Sequence, residues 1–292
     1  VDNAITKADK EGTNYFDEIF RTAPMTNLTL GASGGNEQGQ YGISLGYLNQ
    51  QGTVIHTDYE RYNLRVNTLF RIRDRIRVGE NFSLSYGNKV GLPGGINGSG
   101  NAISHAFRSP SIIPVYDEEG NFAGSKGGNL TNAANPVAIL FRGKDNNSTS
   151  LRALGGAFLE LDLIEGLTAK TAININVENW EFKGFQFPNP EDIEGNPTGT
   201  RLSQDQGRGT SWTWYNTLKY DRSFGVHNVT ALVGTEAIES NYHQFGGSRS
   251  SFFSTSQDYW YLNAGEEGFS AKLATLLAWE SVSDKGVNDV VT

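Results

Sequence analysis

Between Tyr62 and Tyr86 two chemistries alternate along the chain almost without error. Tyr62, Leu64, Val66, Phe70 and Ile72 hold even positions, and Arg61, Asn63, Arg65, Asn67, Arg71 and Arg73 hold odd ones. Successive side chains of a strand point to opposite faces, so the pattern predicts one long strand with an apolar face and an arginine face. After Asp74 and Arg75 it resumes, with Ile76, Val78, Phe82, Leu84 and Tyr86 set against Arg77, Asn81, Ser83 and Ser85. Each arm runs for about a dozen residues, about twice the usual strand of a soluble domain. A long hairpin with one oily and one polar face suits a membrane-spanning barrel, with lipid outside and a wet lumen inside.

Composition narrows the alternatives. The chain has no cysteine, which removes disulfides and thiolate metal sites, and its four histidines lack ligand spacing. A net charge of −8 disfavours nucleic acid as a partner. No apolar run approaches the ~20 residues of a transmembrane helix, a test that barrel strands escape because they alternate. The opening Val1-Asp2-Asn3-Ala4 has no initiator methionine or signal-peptide features. The chain is therefore expected to begin inside a longer or processed protein.

Counting in steps of two gives eight strands. They are Asn27–Ser33, Tyr41–Leu48, the two arms of the hairpin, Ser150–Leu163, Leu167–Phe182, Ser211–Asp221 and His227–Ile238. The connections after odd strands are short: Gly34–Gln40, Asp74-Arg75, Ile164–Gly166 and Ser223–Val226. Those after even strands are longer: Asn49–Tyr59, Gly87–Thr149, Lys183–Thr210 and Glu239 onward. Short turns at one end and long loops at the other is the transmembrane-barrel pattern. The predicted fold is thus all-β, an antiparallel up-and-down segment of about eight strands from a large transmembrane barrel. It covers residues 1–265 with its long loop at 87–149. Residues 266–292 are unassigned; Ser270–Trp279 has the look of a short amphipathic helix, and Ser281–Thr292 shows no alternation.

Motifs for covalent chemistry do not survive inspection. Gly31–Gly35 and Gly42–Gly46 both match Gly-x-Ser-x-Gly, but a nucleophile elbow needs a strand-to-helix turn that neither Ser33 nor Ser44 has. Asp117–Asn121 lacks the spacing of a calcium loop, and the glycine run at Gly91–Gly100 lacks the Lys-Ser/Thr of a phosphate loop. No catalytic residue, metal or cofactor is expected, and the chain is not read as an enzyme.

Two sets of residues stand as binding candidates. Phe185, Phe187, Tyr259, Trp260 and Tyr261 fall in long loops, where exposed rings would stack on sugar. The row Arg61, Arg65, Arg71 and Arg73 is read first as lumen and rim charge, neutralised by neighbouring strands or by a plug inside the barrel. The other reading is a cationic lumen that handles acidic or sugar substrates. Tyr41, Tyr47, Tyr86, Trp180, Trp212 and Trp214 sit near strand ends as girdle candidates.

Several strings resemble one family. Asp17-Glu-Ile-Phe-Arg-Thr-Ala-Pro-Met25, Ser33-Gly-Gly35, Tyr41-Gly-Ile-Ser-Leu-Gly-Tyr-Leu48, Gln51-Gly52, Tyr59-Glu-Arg61 and Arg65-Val-Asn67 are similar to SusC/RagA-type TonB-dependent outer-membrane transporters. Pro114-Val-Tyr-Asp-Glu-Glu-Gly-Asn121, Asn135-Pro-Val137, His227-Asn228 and Gly234-Thr-Glu-Ala237 extend the resemblance, in family order, from about Thr13 to Gly265. It implies a barrel of about 22 strands with an N-terminal plug. It also implies a SusD-like lipoprotein lid, TonB-derived energy, and import of oligosaccharides or peptides across the outer membrane of a Bacteroidetes-like Gram-negative bacterium. The departures are an absent plug, TonB box and signal peptide, an absent aromatic-ended closing strand, and Tyr15 where the family commonly has tryptophan. A sheet cut from such a barrel has open edges that the membrane must see paired, so the segment alone is expected neither to transport nor to fold stably in water. The alternative is a secreted or surface β-sandwich serving as a carbohydrate-binding or adhesive module, which would need Greek-key connections.

Overall fold

The computed structural model describes residues 12–96, 98–126, 131–192 and 199–281. Nine antiparallel strands form one sheet in strict sequence order. They are β1 (Met25–Gly35), β2 (Gly39–Gln51), β3 (Asp58–Ile72), β4 (Ile76–Val90), β5 (Asn147–Ile164), β6 (Leu167–Gln186), β7 (Arg201–Phe224), β8 (His227–Phe252) and β9 (Gly265–Ser281). Every neighbour along the chain is a neighbour in the sheet, an up-and-down order with no Greek key, so the sandwich alternative is not what forms. Short turns close one end, as at Gly166, whose φ of +80° favours glycine. The long connections gather at the other end.

Register shows why the two faces differ. One face carries rows such as Leu30–Leu45–Leu64–Leu84–Ala153–Val177 and Ala32–Ile43–Val66–Phe82–Gly155–Ile175–Trp212. The opposite face carries Ser33–Gly42–Asn67–Asn81–Gly156–Asn174–Thr213, a row of small and polar groups. Large apolar residues of the first face, including Leu28, Leu30, Leu45, Ile175 and Val233, lie bare at its surface. In water that exposure would be heavily penalised, whereas against lipid it is the favourable arrangement. We call this the outer face and its opposite the inner face.

The apolar window slides along the strands. On β1 it lies near the long-loop end, at Leu28 and Leu30, and on β8 it lies near the turn, at Val229, Ala231 and Val233. The row that begins Leu28–Tyr47–Tyr62–Tyr86–Leu151 continues as Asn179, Arg208 and His243. This drift is the signature of strands tilted across a flat apolar layer. Tyr47, Tyr62 and Tyr86 mark the layer's upper limit, and the Tyr47 and Tyr62 hydroxyls both donate to Glu60 Oε1, at 3.1 and 2.8 Å. Strand length grows along the sheet from 11 residues in β1 to 26 in β8. At about 3.3 Å per residue the latter is about 86 Å long, far more than an apolar band about 25 Å tall requires at barrel tilt.

At the long-loop end three short helices share a core. They are α1 (Tyr15–Ile19), α2 (Ala102–Arg108) and α3 (Pro136–Gly143). Tyr15, Ile19, Ala102, Ala106, Val115, Val137 and Leu140 are buried together, with Val54 and Ile55 of the β2–β3 loop packed against them. Each helix opens on an asparagine cap: Asn14, Asn101 and Asn135. The described residues of the connection 91–146 therefore form a folded module, with α2 and α3 capped and one side of each packed into that core.

Three expectations need correction. Ser270–Trp279 is not a helix; its backbone belongs to β9, and the turns Gln257–Tyr259 and Leu262–Ala264 precede it. Its run of Ala and Leu without polar alternation fits either period, and pairing with β8 decides it. Residues 282–292 of the unassigned tail, like the opening Val1–Ala4, lie outside the described residues. β7 begins ten positions earlier than alternation suggests, because Leu202 is the one large apolar residue of Arg201–Thr210, which leaves no period to count. Trp180 is no outer girdle residue: it pairs with Ser150 and Gly207 on the inner face, where its ring occupies the space a Cβ on Gly207 would need.

Candidate functional site

The strand ends at the turn side spend their charge locally. Arg77 on β4 donates through Nε and Nη2 to Glu160 Oε1, at 2.9 and 2.7 Å, and through Nη1 and Nη2 to the two Asp162 oxygens, each at 2.7 Å. Thr168 Oγ1 donates to Asp162 Oδ1 at 2.8 Å, and Lys170 lies 3.9 Å from Glu160. Arg71 is the register partner of Arg77, and Arg71 and Arg73 are exposed beside the turn, Arg73 with a φ of +56°. Both therefore sit at the turn end of the sheet.

Further up the inner face the pattern changes. Arg61 and Arg65 on β3 and Arg152 on β5 line one cavity of about 450 Å³, together with Asn63, Ser83 and Ser85. Small neighbours make the room: Arg61 is opposite Gly87, Arg65 opposite Ser83, and Arg152 opposite Ser85. Arg152 Nε donates to Asn176 Oδ1 at 2.9 Å. Arg61 and Arg65 make no ion pair among the described residues, and Arg61 Nε is buried without a hydrogen-bond acceptor. Sequence reading named Arg61 and Arg65 but did not bring Arg152 to them. The needed signal is the register across β4, which periodicity along single strands does not carry.

The loop aromatics divide. Phe185 is 2 % exposed and Trp260 3 %, stacked with ring centroids 4.8 Å apart and planes within 4°. Phe187 and Phe252 meet Phe185 edge-on at 5.0 and 5.3 Å, and Leu202 completes the cluster. The expected exposure of Phe185 and Trp260 is not found; together they pin the β8–β9 loop to the upper ends of β6 and β7. Phe187 is half-buried beside them. Tyr259 and Tyr261 are exposed; Tyr259 meets Phe253 edge-on at 4.5 Å, and Lys183 Nζ lies 5.3 Å from the Tyr261 ring. A cleft of about 280 Å³ on the other side of the same strands is lined by Pro93, Arg142, Asn146, Phe182, Phe187 and Arg201.

Under the module lies a buried charge set. Glu191 is 1 % exposed and receives both Arg142 Nη1 at 2.5 Å and Nη2 at 3.0 Å. Beside it burial pushes the Asp192 carboxyl up to about 6, with Glu191 adding to the rise and the Asn189 amide, 2.6 Å away, opposing it. Burial likewise pushes the Tyr15 hydroxyl up as it donates to Ile113 O at 3.1 Å. His105 Nδ1 accepts from Ala134 N at 2.8 Å, and burial followed by the Arg108 charge lowers its pKa. These are architectural roles.

No arrangement for covalent chemistry emerges among the described residues. Ser33 and Ser44 sit within β1 and β2 with no helix after either. No cluster of His, Cys, Asp or Glu suited to a metal is present among the described residues. Asp117 Oδ1 accepts from Glu119 N and Asn121 N at 3.0 and 2.8 Å, an Asx turn that accounts for the acidic stretch. No helix there is long and apolar enough to cross a membrane, a statement that leaves barrels untouched.

Comparison with known proteins agrees with this geometry. No family model matches the chain. It is 30% identical over 261 residues to a TonB-dependent receptor of Formosa agariphila, covering 87% of this chain and 25% of the receptor. A second TonB-dependent receptor of the same bacterium is 27% identical over 239 residues, 78% of this chain and 23% of that protein. The chain thus spans about a quarter of the length of the curated relatives it matches. These relatives are named receptors, not enzymes. Among solved structures, the RagAB peptide transporter superposes with a TM-score of 0.74 at 24% identity, over 90% of this chain and 30% of that one. The RagAB peptide importer in its closed-closed state gives 0.72 at the same identity and coverage. That likeness establishes the fold: the nine strands are a stretch of such a barrel.

Proposed function

We propose that this chain, a stretch of a TonB-dependent receptor barrel by sequence and by fold, forms part of the wall of an outer-membrane active transporter. The complete receptor would import oligosaccharides or peptides with energy delivered through TonB, beneath a SusD-like lipoprotein. The observation that carries the reading is the apolar outer window, which drifts in step with strand tilt while the inner face of the same strands is mostly small and polar, with Leu69, Leu154 and Phe158 as exceptions. The long loops then lie at the cell surface, where Tyr259, Tyr261 and the half-buried Phe187 offer rings to arriving cargo.

The chain has no cysteine, so single cysteines report its placement directly. In the full-length receptor, with any other accessible cysteine removed, Leu45→Cys is expected to resist a water-soluble maleimide in intact membranes. Gly120→Cys is expected to label from outside the cell, and Ser44→Cys only from the lumen. Labelling of Leu45→Cys as fast as Gly120→Cys would sink the membrane placement. Deletion of the receptor gene should abolish uptake of its cargo, and collapse of the proton gradient should do the same.

A further inference from the structure

We propose that Arg61, Arg65 and Arg152 form an inner-wall site for the carboxylate or sulfate groups of an acidic cargo. The inference rests on the transport reading above and names the cargo chemistry that the wall suits. Its basis is a contrast within one face of one sheet. Arg77, Lys170 and Lys219 on that inner face each meet a carboxylate. Arg61 and Arg65 meet none among the described residues, and Arg152 has a neutral amide. Glu178 is the register partner of Arg152, yet forms no ion pair with it.

Geometry makes the three a unit. Arg152 is opposite Ser85, which is opposite Asn63, so Arg152 lies level with the midpoint between Arg61 and Arg65. Four residues separate the two β3 arginines, about 13 Å along the strand, and β5 stands two strand spacings away, about 10 Å. Long side chains from these points converge over Asn63, Ser83 and Ser85, which line the shared cavity. The buried, acceptor-free Nε of Arg61 is part of that wall. Three like charges at this spacing repel one another, and a low-dielectric wall strengthens both that repulsion and the attraction for an anion. Guanidinium forks bind planar carboxylate or tetrahedral sulfate through paired hydrogen bonds. The Ser and Asn groups around them match hydroxyls or amides on the rest of a sugar or peptide chain.

The same chemistry could be supplied by acidic side chains from the remainder of the receptor, and the test separates the two sources. Full-length receptor in detergent would be titrated at low ionic strength with hexagalacturonate, a sulfated hexasaccharide and hexaglutamate, against neutral maltohexaose. At least one acidic probe is expected to bind more tightly than maltohexaose and to weaken with salt. The triple variant Arg61→Gln, Arg65→Gln, Arg152→Gln should lose tenfold or more for that probe and keep its melting temperature. The triple Arg→Lys variant should recover part of the loss, and Arg75→Gln at the exposed turn should change nothing. The inference is overturned if no acidic probe outbinds maltohexaose, or if the triple variant binds acidic probes as the native receptor does. It is overturned too if binding of all probes and the melting temperature fall together, which would assign the arginines to seating another part of the receptor. Uptake by cells keeps the premises apart: deletion that leaves all uptake intact refutes transport itself, whereas a triple variant with unaltered preference for acidic cargo refutes only the arginine site.

Discussion

The Asn135 side-chain amide donates to the carbonyl of Val115, twenty residues upstream in sequence, at 2.9 Å. The same nitrogen donates to Ala123 O at 2.8 Å, while Oδ1 accepts from Val137 N and Ala138 N at 3.0 and 3.2 Å. One buried side chain thus caps α3 and ties the two sides of the 115–123 turn to it. Pro136 follows at the first helical position, where its missing N–H is not needed.

Asn135→Ala should therefore loosen the whole loop module. Loss of the cap and of two buried carbonyl partners predicts about 3 kcal/mol of local destabilisation. Asn135→Asp keeps the cap and loses the donors, and should fall between. Hydrogen exchange of the full-length receptor reads this as faster exchange over 113–124 and 136–143, with the strands unchanged.

Trp260→Ala should cost about 3–5 kcal/mol at the loop cluster, because it removes a ring stacked on buried Phe185. The expected result is a new proteolytic site between 253 and 264 and an intact barrel. Tyr259→Ala and Tyr261→Ala, which alter exposed rings, should leave proteolysis as it was and weaken cargo capture instead.

Two buried groups give the module opposite pH responses. The folded state holds the Asp192 proton more tightly than an unfolded chain does, so this contribution is fully present below the ordinary carboxylate value, about 4, and is lost as pH rises through about 6. His105 is held neutral, so its contribution is present above about 6.5 and is lost as pH falls through its lowered value. Exchange rates, corrected for intrinsic chemistry, should fall over 187–192 between pH 7.5 and 5 and rise over 102–108 and 131–135. Asp192→Asn should flatten the first response and leave the second.

Arg77→Leu should be felt beyond its own position. It strips the partner from Glu160 and Asp162, which then repel each other on adjacent positions of the same face. A loss of about 1–3 kcal/mol is expected, since the cluster is part-exposed and water offsets some of it. Adding Glu160→Gln should restore part of the stability, the readout being the temperature at which the heat-modifiable band disappears.

How far the chain could be read in advance follows from where its faces meet different media. In β3 and β4 one face meets lipid and the other water, so Tyr62–Tyr86 announces itself with period two. Along Arg201–Thr210 a single large apolar residue, Leu202, is buried in the loop cluster and no period exists, so the start of β7 is not legible. The ends of β9 and the burial of Phe185 depend on partners far away in sequence. The strings Asn135-Pro-Val137 and Pro114–Asn121 that carry the family resemblance coincide with the α3 cap and with the Asx turn at Asp117. The grouping of Arg152 with Arg61 and Arg65 was hidden, because it exists only across strands.

The growth of the strands toward β8 has a consequence for how other molecules meet the cell. Where β7 and β8 rise beyond the apolar layer, Arg201–Thr210 and Asn241–Ser250 are joined rung by rung in a regular ladder. Surface proteases trim flexible loops but cannot thread a paired ladder into their clefts. An antibody or phage tail fibre directed at this ridge would find a rigid epitope that survives when the surrounding loops have been shaved away.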